Sequence, residues 1–158
     1  MKIFIQSNRY QFTAAKVAKF SFEKFGYTCK IVNIEDEVRL KKYFNKKYLR
    51  NNKIKTFKDD LQSFTLLRFL IPELVDNNEK IMIIDPDVFA LKSLNKLEEI
   101  TNNQNLIYCT FYNNKPRSEV MIGYPNILKI NFDKYMEKLF NFKVDYMDIM
   151  GMDIYNQK

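Results

Sequence analysis

The chain has 158 residues, 46% of them hydrophobic and 15% aromatic, and carries a net charge of +7 from 26 Lys and Arg against 19 Asp and Glu. That size suits one compact domain, and three glycines and four prolines argue against disorder and against a turn-rich sandwich. The absence of histidine removes Ser-His-Asp and Cys-His catalysis, histidine general bases and histidine metal ligands at one stroke. The positive excess favours anionic partners: nucleotide phosphates, anionic lipid or nucleic acid. Cys29 and Cys109 each sit in an apolar, strand-like run, so no disulfide framework is implied and a reducing, cytoplasmic setting is expected. Residues 1–5 lead straight into polar Gln6-Ser7-Asn8-Arg9, without a leader pattern. No apolar run approaches the roughly 20 residues of a spanning helix.

In chain order, residues 2–6 read as a strand, 13–25 as a helix stopped by Gly26, and 28–34 as a second strand. The opening is therefore β-α-β, which predicts parallel strands. Residues 39–58 hold nine Lys or Arg and no acid, with Tyr43, Phe44, Tyr48 and Phe57 among them. This stretch reads as a solvated basic helix or loop with a few anchoring aromatics; a nucleic-acid patch or a basic lip beside a nucleotide site are the alternatives. Residues 59–75 read as a helix capped by Asp59 or Asp60 and kinked at Pro72. A buried strand follows at 81–84, a short helix at 91–100 and strands at 106–111 and 119–124. The strands at 106–111 and 119–124 flank a turn at Asn113-Asn114-Lys115-Pro116. A helix covers 132–140. The pattern is α/β, with a mostly parallel central sheet flanked by helices and one domain over 1–158.

The chemistry concentrates at Ile81-Met82-Ile83-Ile84-Asp85-Pro86-Asp87. A strand buried on both faces seldom ends in two acids unless something positive meets them. Pro86 cannot donate to a ladder, so the strand ends here. Two carboxylates on a stiff turn suit a hard divalent cation shared with a substrate phosphate, and ligands of open α/β sheets sit outside such strand ends. That reading requires the two acids to face an open crevice. Acids buried against arginines would argue against it.

Several stretches together resemble the GT-A glycosyltransferases, in particular the family 8 group of glycogenin and the lipopolysaccharide galactosyl- and glucosyltransferases. They are Ile3-Phe4-Ile5-Gln6-Ser7-Asn8-Arg9-Tyr10, Arg68-Phe69-Leu70-Ile71-Pro72-Glu73-Leu74 and Lys80-Ile81-Met82-Ile83-Ile84-Asp85-Pro86-Asp87. The resemblance covers roughly residues 1–100 and implies a GT-A domain that moves a hexose from a nucleotide-sugar, a UDP-sugar in the first instance, to a saccharide or other hydroxyl acceptor. It implies that Asp85 and Asp87 hold Mn²⁺ or Mg²⁺ on the diphosphate, that Ser7, Asn8 and Tyr10 meet the base and ribose, and that Arg68 reaches the diphosphate or sugar.

The family's Asn-Ala-Gly or Asn-Ser-Ser run is replaced by Arg117-Ser118-Glu119 before Val120-Met121. The family's Asp-Gln pair has its best local match in Gly151-Met152-Asp153-Ile154, so Asp148 or Asp153 would stand in as the catalytic acid. The family's C-terminal histidine ligand has no counterpart in this sequence, and by the resemblance the acceptor-binding segment is expected to be missing from it. Peripheral contact with an anionic membrane is expected of the basic segment, and no specific nucleic acid. Two competing functions share these residues. One is a haloacid-dehalogenase-type phosphohydrolase with Asp85 as nucleophile and Asp87 as acid, although its motif belongs at the first strand. The other is a non-catalytic basic module acting through 39–58.

Overall fold

The computed structural model describes residues 1–76, 78–151 and 154–155. Its centre is a five-stranded sheet of β1 (Lys2–Ser7), β2 (Cys29–Asn33), β5 (Ile81–Ile84), β6 (Tyr108–Tyr112) and β7 (Lys115–Gly123), in the order β2-β1-β5-β7-β6. Strands β2, β1 and β5 are parallel; β7 runs against β5, and β6 runs against β7. Four of the five strands therefore point the same way, the mostly parallel α/β sheet expected of the sequence.

The apolar runs follow from burial on both faces. Ile3, Ile5, Met82 and Ile84 pack with Ala15, Ala18 and Phe22 of α1 (Phe12–Glu23). Phe4, Ile81 and Ile83 point into a larger core on the other face, which includes Phe69, Leu70, Phe132 and Phe140. Gly26 follows α1 with φ +85°, the left-handed stop that glycine adopts without strain.

Four segments differ from the sequence expectation. Residues 59–75 are no single helix. They form 3-10 turns at Phe57–Asp59, Ser63–Leu66 and Ile71–Leu74 around one short helix, α3 (Leu67–Leu70). Residues 63–72 are buried throughout, so there is no solvent face for an amphipathic helix, and packing against the sheet sets the backbone in tight turns. Asp60 does hold the start of this segment, accepting from the Gln62 N–H.

The basic stretch folds into α2 (Val38–Lys41) and a hairpin of β3 (Lys47–Arg50) and β4 (Lys53–Thr56). Its turn residues Asn51 and Asn52 have φ of 51° and 57°, the left-handed pair of a tight hairpin turn. Beyond the sheet centre, α4 (Asn95–Ile100) starts later than expected, and β7 begins at Lys115 rather than 119. α5 (Pro125–Leu128), α6 (Phe132–Phe140) and α7 (Tyr146–Met150) complete the order. Among the described residues no helix is long and apolar enough to cross a membrane.

Candidate active site

Chain connectivity fixes where a ligand can sit. From β1 the chain goes out to β2 on one side, while β5 flanks β1 on the other. The crevice outside the C-terminal ends of β1 and β5 is thus the switch point of the sheet, where open α/β folds bind ligands. Ile5 pairs with Ile84, so the next residues in register, Gln6 and Asp85, meet at that crevice. The Gln6 side chain donates from Nε2 to Asp85 Oδ1.

Arg68, on α3, approaches the same carboxylate. Its Nη2 donates to Asp85 Oδ1 at 2.9 Å, and its Nη1 donates to Ser118 Oγ on β7. Ser118 Oγ in turn donates to the Met150 carbonyl oxygen. The Asp85 N–H is held by the Glu119 carbonyl oxygen at 3.0 Å, and the Glu119 carboxylate pairs with Arg117. Burial pushes the Asp85 carboxyl up to about 6, against the pull of Arg68 and with the added repulsion of Asp87 and Glu119. Burial also pushes Glu119 up, but the hydrogen bond from Arg117, a backbone hydrogen bond and the charges of Arg117 and Arg68 together outweigh it and leave the group below its usual value.

One of the two acids is therefore engaged by an arginine, the arrangement that argued against a cation site. The other is not. Asp87 is exposed, and among the described residues neither its carboxylate nor Asp85 Oδ2 has a protein partner. Gln6 Oε1, Arg68 Nε and Glu119 Oε2 are buried around Asp85 without a partner among the described residues, an unusual cluster of unmet polar atoms. Arg68 and Glu119, with Asp85 and Ser118, line an open cavity of about 960 Å³ that has Arg50 and Tyr146 on other walls; Gln6 touches Asp85 but does not line it. Among the described residues no three acidic or sulfur ligands converge as a metal cage. Two carboxylates with oxygen donors fit Mg²⁺ or Mn²⁺ only in the shared mode, with substrate phosphate and water completing the shell.

The other expected site residues are placed differently. Asn8 is buried: its Nδ2 donates to the Leu61 carbonyl and to Ser63 Oγ, and its Oδ1 accepts from the Tyr10 and Gln11 N–H groups. Ser7 is buried and donates to the Asn8 carbonyl. Tyr10 is half-exposed, with the Arg9 guanidinium 4.6 Å from its ring centre. Asp148 closes a capping box at the start of α7: it accepts from the Asp145 N–H, while Asp145 accepts from Met147. Ser7, Asn8, Tyr10, Asp87 and Asp148 do not line the cavity, whereas Arg68 and Asp85 do. Asp153 lies outside the described residues.

Sequence reasoning missed Gln6 and Ser118 as partners in this cluster, and Arg50 with Asp60 and Tyr48. Arg50 and Tyr48 both donate to the Asp60 carboxylate. Burial pushes Asp60 up, but those bonds and the Gln62 N–H overcome it and hold the carboxyl low. The available signal for Gln6 was a polar residue continuing an apolar strand to its C-terminal end.

Comparisons with known proteins bear on this geometry. The sequence model of glycosyl transferase family 8 matches residues 6–151. The fold is similar to a crystal structure of the galactosyltransferase LgtC in complex with donor and acceptor sugar analogs, with a TM-score of 0.60 and 13% identity. That match covers 99% of this chain and 69% of the other. No curated protein matches the sequence significantly.

Proposed function

The chain belongs to glycosyl transferase family 8, and from that premise we propose that it moves a hexose from a UDP-sugar to a saccharide or other hydroxyl acceptor, with Mn²⁺ or Mg²⁺ held at Asp85 and Asp87. The observation that carries the reading is the cluster at the switch point. Arg68, Gln6 and Glu119 surround Asp85 with unmet buried polar atoms beside an open cavity of about 960 Å³. LgtC, the structural neighbour, is recorded with donor and acceptor sugar analogs, and this crevice is where a donor analogue would lie in a sheet of this topology.

The leaving group of such a transfer is a nucleoside diphosphate, so negative charge builds on it as the glycosidic bond breaks. A bound divalent cation would supply Lewis-acid neutralisation of that charge. The protein's own contributions are specific. Asp85 Oδ2 and the Asp87 carboxylate offer oxygen donors. Arg68, held by Ser118 and Asp85, is preorganised as a cation at the crevice floor, where its charge acts with little solvent screening. Gln6, donating from Nε2 to Asp85 Oδ1, orients that carboxylate. Tyr10, the exposed aromatic after β1, is the residue of the turn best placed to stack on a base. Asn8 and Ser7 shape that turn. Asp148 and Asp153 remain the proposed acids near the reacting carbon. The free Cys29 and Cys109 suit a cytoplasmic setting, where such a donor is available.

The test is release of UDP from UDP-glucose or UDP-galactose with Mn²⁺ and a saccharide acceptor. Metal-dependent release that disappears in Asp87→Ala supports the reading. Release of inorganic phosphate from an aryl phosphate instead would favour the dehalogenase-like alternative.

A further inference from the structure

We propose that the lysine-bearing ribbon of residues 41–58 is a docking surface for an anionic lipid bilayer. Charge distribution is the first ground. Residues 39–58 hold nine basic residues and no acid, more than the chain's net charge of +7, so the remainder of the chain carries more acid than base. The excess is a local feature of this ribbon and not a habit of the whole composition.

The structure sorts these nine residues by task. Arg39 is consumed by Glu73 and Asp133, and Arg50 by Asp60. Lys41, Lys42, Lys46, Lys47, Lys53, Lys55 and Lys58 are all exposed, and among the described residues none of them has an acidic partner. They lie on a rigid support. The β3–β4 ladder continues through the Phe57 N–H to the Lys46 carbonyl (3.0 Å) and the Lys58 N–H to the Phe44 carbonyl (3.1 Å). At the tip, the Asp145 carboxylate accepts the Asn51 and Asn52 N–H groups at 3.1 and 2.9 Å. Little conformational freedom is lost when such a surface binds.

The chemistry favours lipid over nucleic acid. Single-stranded nucleic acid asks for stacking platforms and arginine forks. Here Tyr43, Tyr48 and Phe57 are turned into the core, Tyr43 stacked on Phe140 at 4.3 Å, and both arginines are engaged. What is left outside is compact lysine charge; Ile54, 62% exposed, shares one face of the hairpin with Lys47, while Lys53 and Lys55 stand on the other. Lysine point charges suit a diffuse anionic headgroup layer. Arg50 and Asn51 of the same hairpin line the crevice cavity. If the crevice is the donor site, docking by this ribbon sets the reaction at the membrane surface.

Lysines on an exposed edge strand also prevent strand-to-strand aggregation. Reversal to glutamate keeps that protection and inverts the attraction to anionic lipid, so it separates the two roles. The experiment is sedimentation of the chain with phosphatidylcholine vesicles, with and without about 30% phosphatidylserine, in the absence of nucleotide. The anionic vesicles are expected to bind, the neutral ones not, and binding should fade steeply between about 50 and about 500 mM salt. Each lysine near the surface contributes roughly fivefold. Lys47→Glu/Lys53→Glu/Lys55→Glu should therefore weaken binding by more than about 100-fold. Lys16→Glu/Lys24→Glu/Lys30→Glu, an equal charge change outside the ribbon, should weaken it by less than about tenfold. If the ribbon triple variant fails to fold, Lys53→Glu/Lys55→Glu on the fully exposed part of β4 carries the same comparison, with a loss of at least about 25-fold. Equal losses in ribbon and control variants, equal binding to neutral vesicles, or tighter binding to single-stranded polyuridine than to the vesicles would each overturn the proposal. Since no nucleotide is present, these outcomes leave the donor-site reading standing or falling on its own test.

Discussion

The Arg68–Asp85 pair offers the sharpest physical test of the site. Both side chains are withdrawn from water, at 4% and 14% exposure, and they meet at 2.9 Å. Even with Arg68 beside it, the Asp85 carboxyl stands at about 6, raised from 3.8 chiefly by burial. At roughly 1.4 kcal/mol per pH unit, the charged carboxylate costs the folded protein about 3 kcal/mol at neutral pH. The folded form then holds its proton more tightly than the unfolded one. Stability from this group is fully present below about pH 4 and is lost as pH rises to about 6, then stays level.

Arg68→Met removes the main attraction holding that value down, so the folded pKa rises further and the loss of stability continues above pH 6. The variant should therefore be less stable than the parent by about 3 kcal/mol near pH 8, within the range for breaking a buried pair. This deficit should shrink as the pH falls through 6 toward 5. Arg68→Met/Asp85→Asn removes the titrating group, so its stability should no longer carry this pH dependence and its loss should be smaller than the sum of the single variants. Urea unfolding of the parent, Arg68→Met, Asp85→Asn and the double variant at about pH 5.5, 7 and 8 reads all of this. A deficit in Arg68→Met that does not change with pH, or single-variant losses that simply add, would refute the argument that burial of the Asp85 charge dominates.

Other perturbations follow from the same contacts. Asp87→Ala, at an exposed position without protein partners, should change stability by less than about 0.5 kcal/mol while abolishing Mn²⁺-dependent donor binding. Affinity for Mn²⁺ should fall about tenfold per pH unit below about 6, because Asp85 must lose its proton to act as a ligand. Asn8→Ala removes four hydrogen bonds from a buried side chain and should lower the unfolding free energy by roughly 2–4 kcal/mol, measured by thermal or urea melts. Asp145→Ala strips the acceptor from Asn51, Asn52 and Met147 and should cost about 1–2 kcal/mol, with faster amide exchange at the hairpin tip.

The parts of this architecture governed by local rules were legible in the sequence. The apolar run before Asp85 had to be a strand buried on both faces, and it is the central one. Helix 132–140 showed its amphipathic spacing and formed with those bounds, Asn131 accepting from the Lys134 N–H at its start. The acid pair after a buried strand falls at the end of the central strand, beside the switch point of the sheet. What was hidden depends on tertiary placement. Residues 59–75 have helical spacing, but burial on every side replaced one long helix with tight turns. The hairpin at 47–56 was masked by its lysines, which weaken strand patterning, although Asn51-Asn52 marked its turn. The partners of Asp85 come from three distant segments, and only the strand register brings Gln6, Arg68 and Ser118 together. Ser7, Asn8 and Asp148 are offered as ligand contacts by the family resemblance alone, and their side chains also hold a turn and a helix cap, which no local pattern announced.

On the proposed function, Asp85 and Asp87 at the switch point hold a cation for a nucleoside diphosphate. Isothermal calorimetry of UDP binding, with and without Mn²⁺, on the parent chain and on Asp87→Ala, tests it most directly. Heat of binding is expected only when Mn²⁺ and Asp87 are both present; binding that ignores both, or no binding at all, would rule out a cation-bridged diphosphate at these acids.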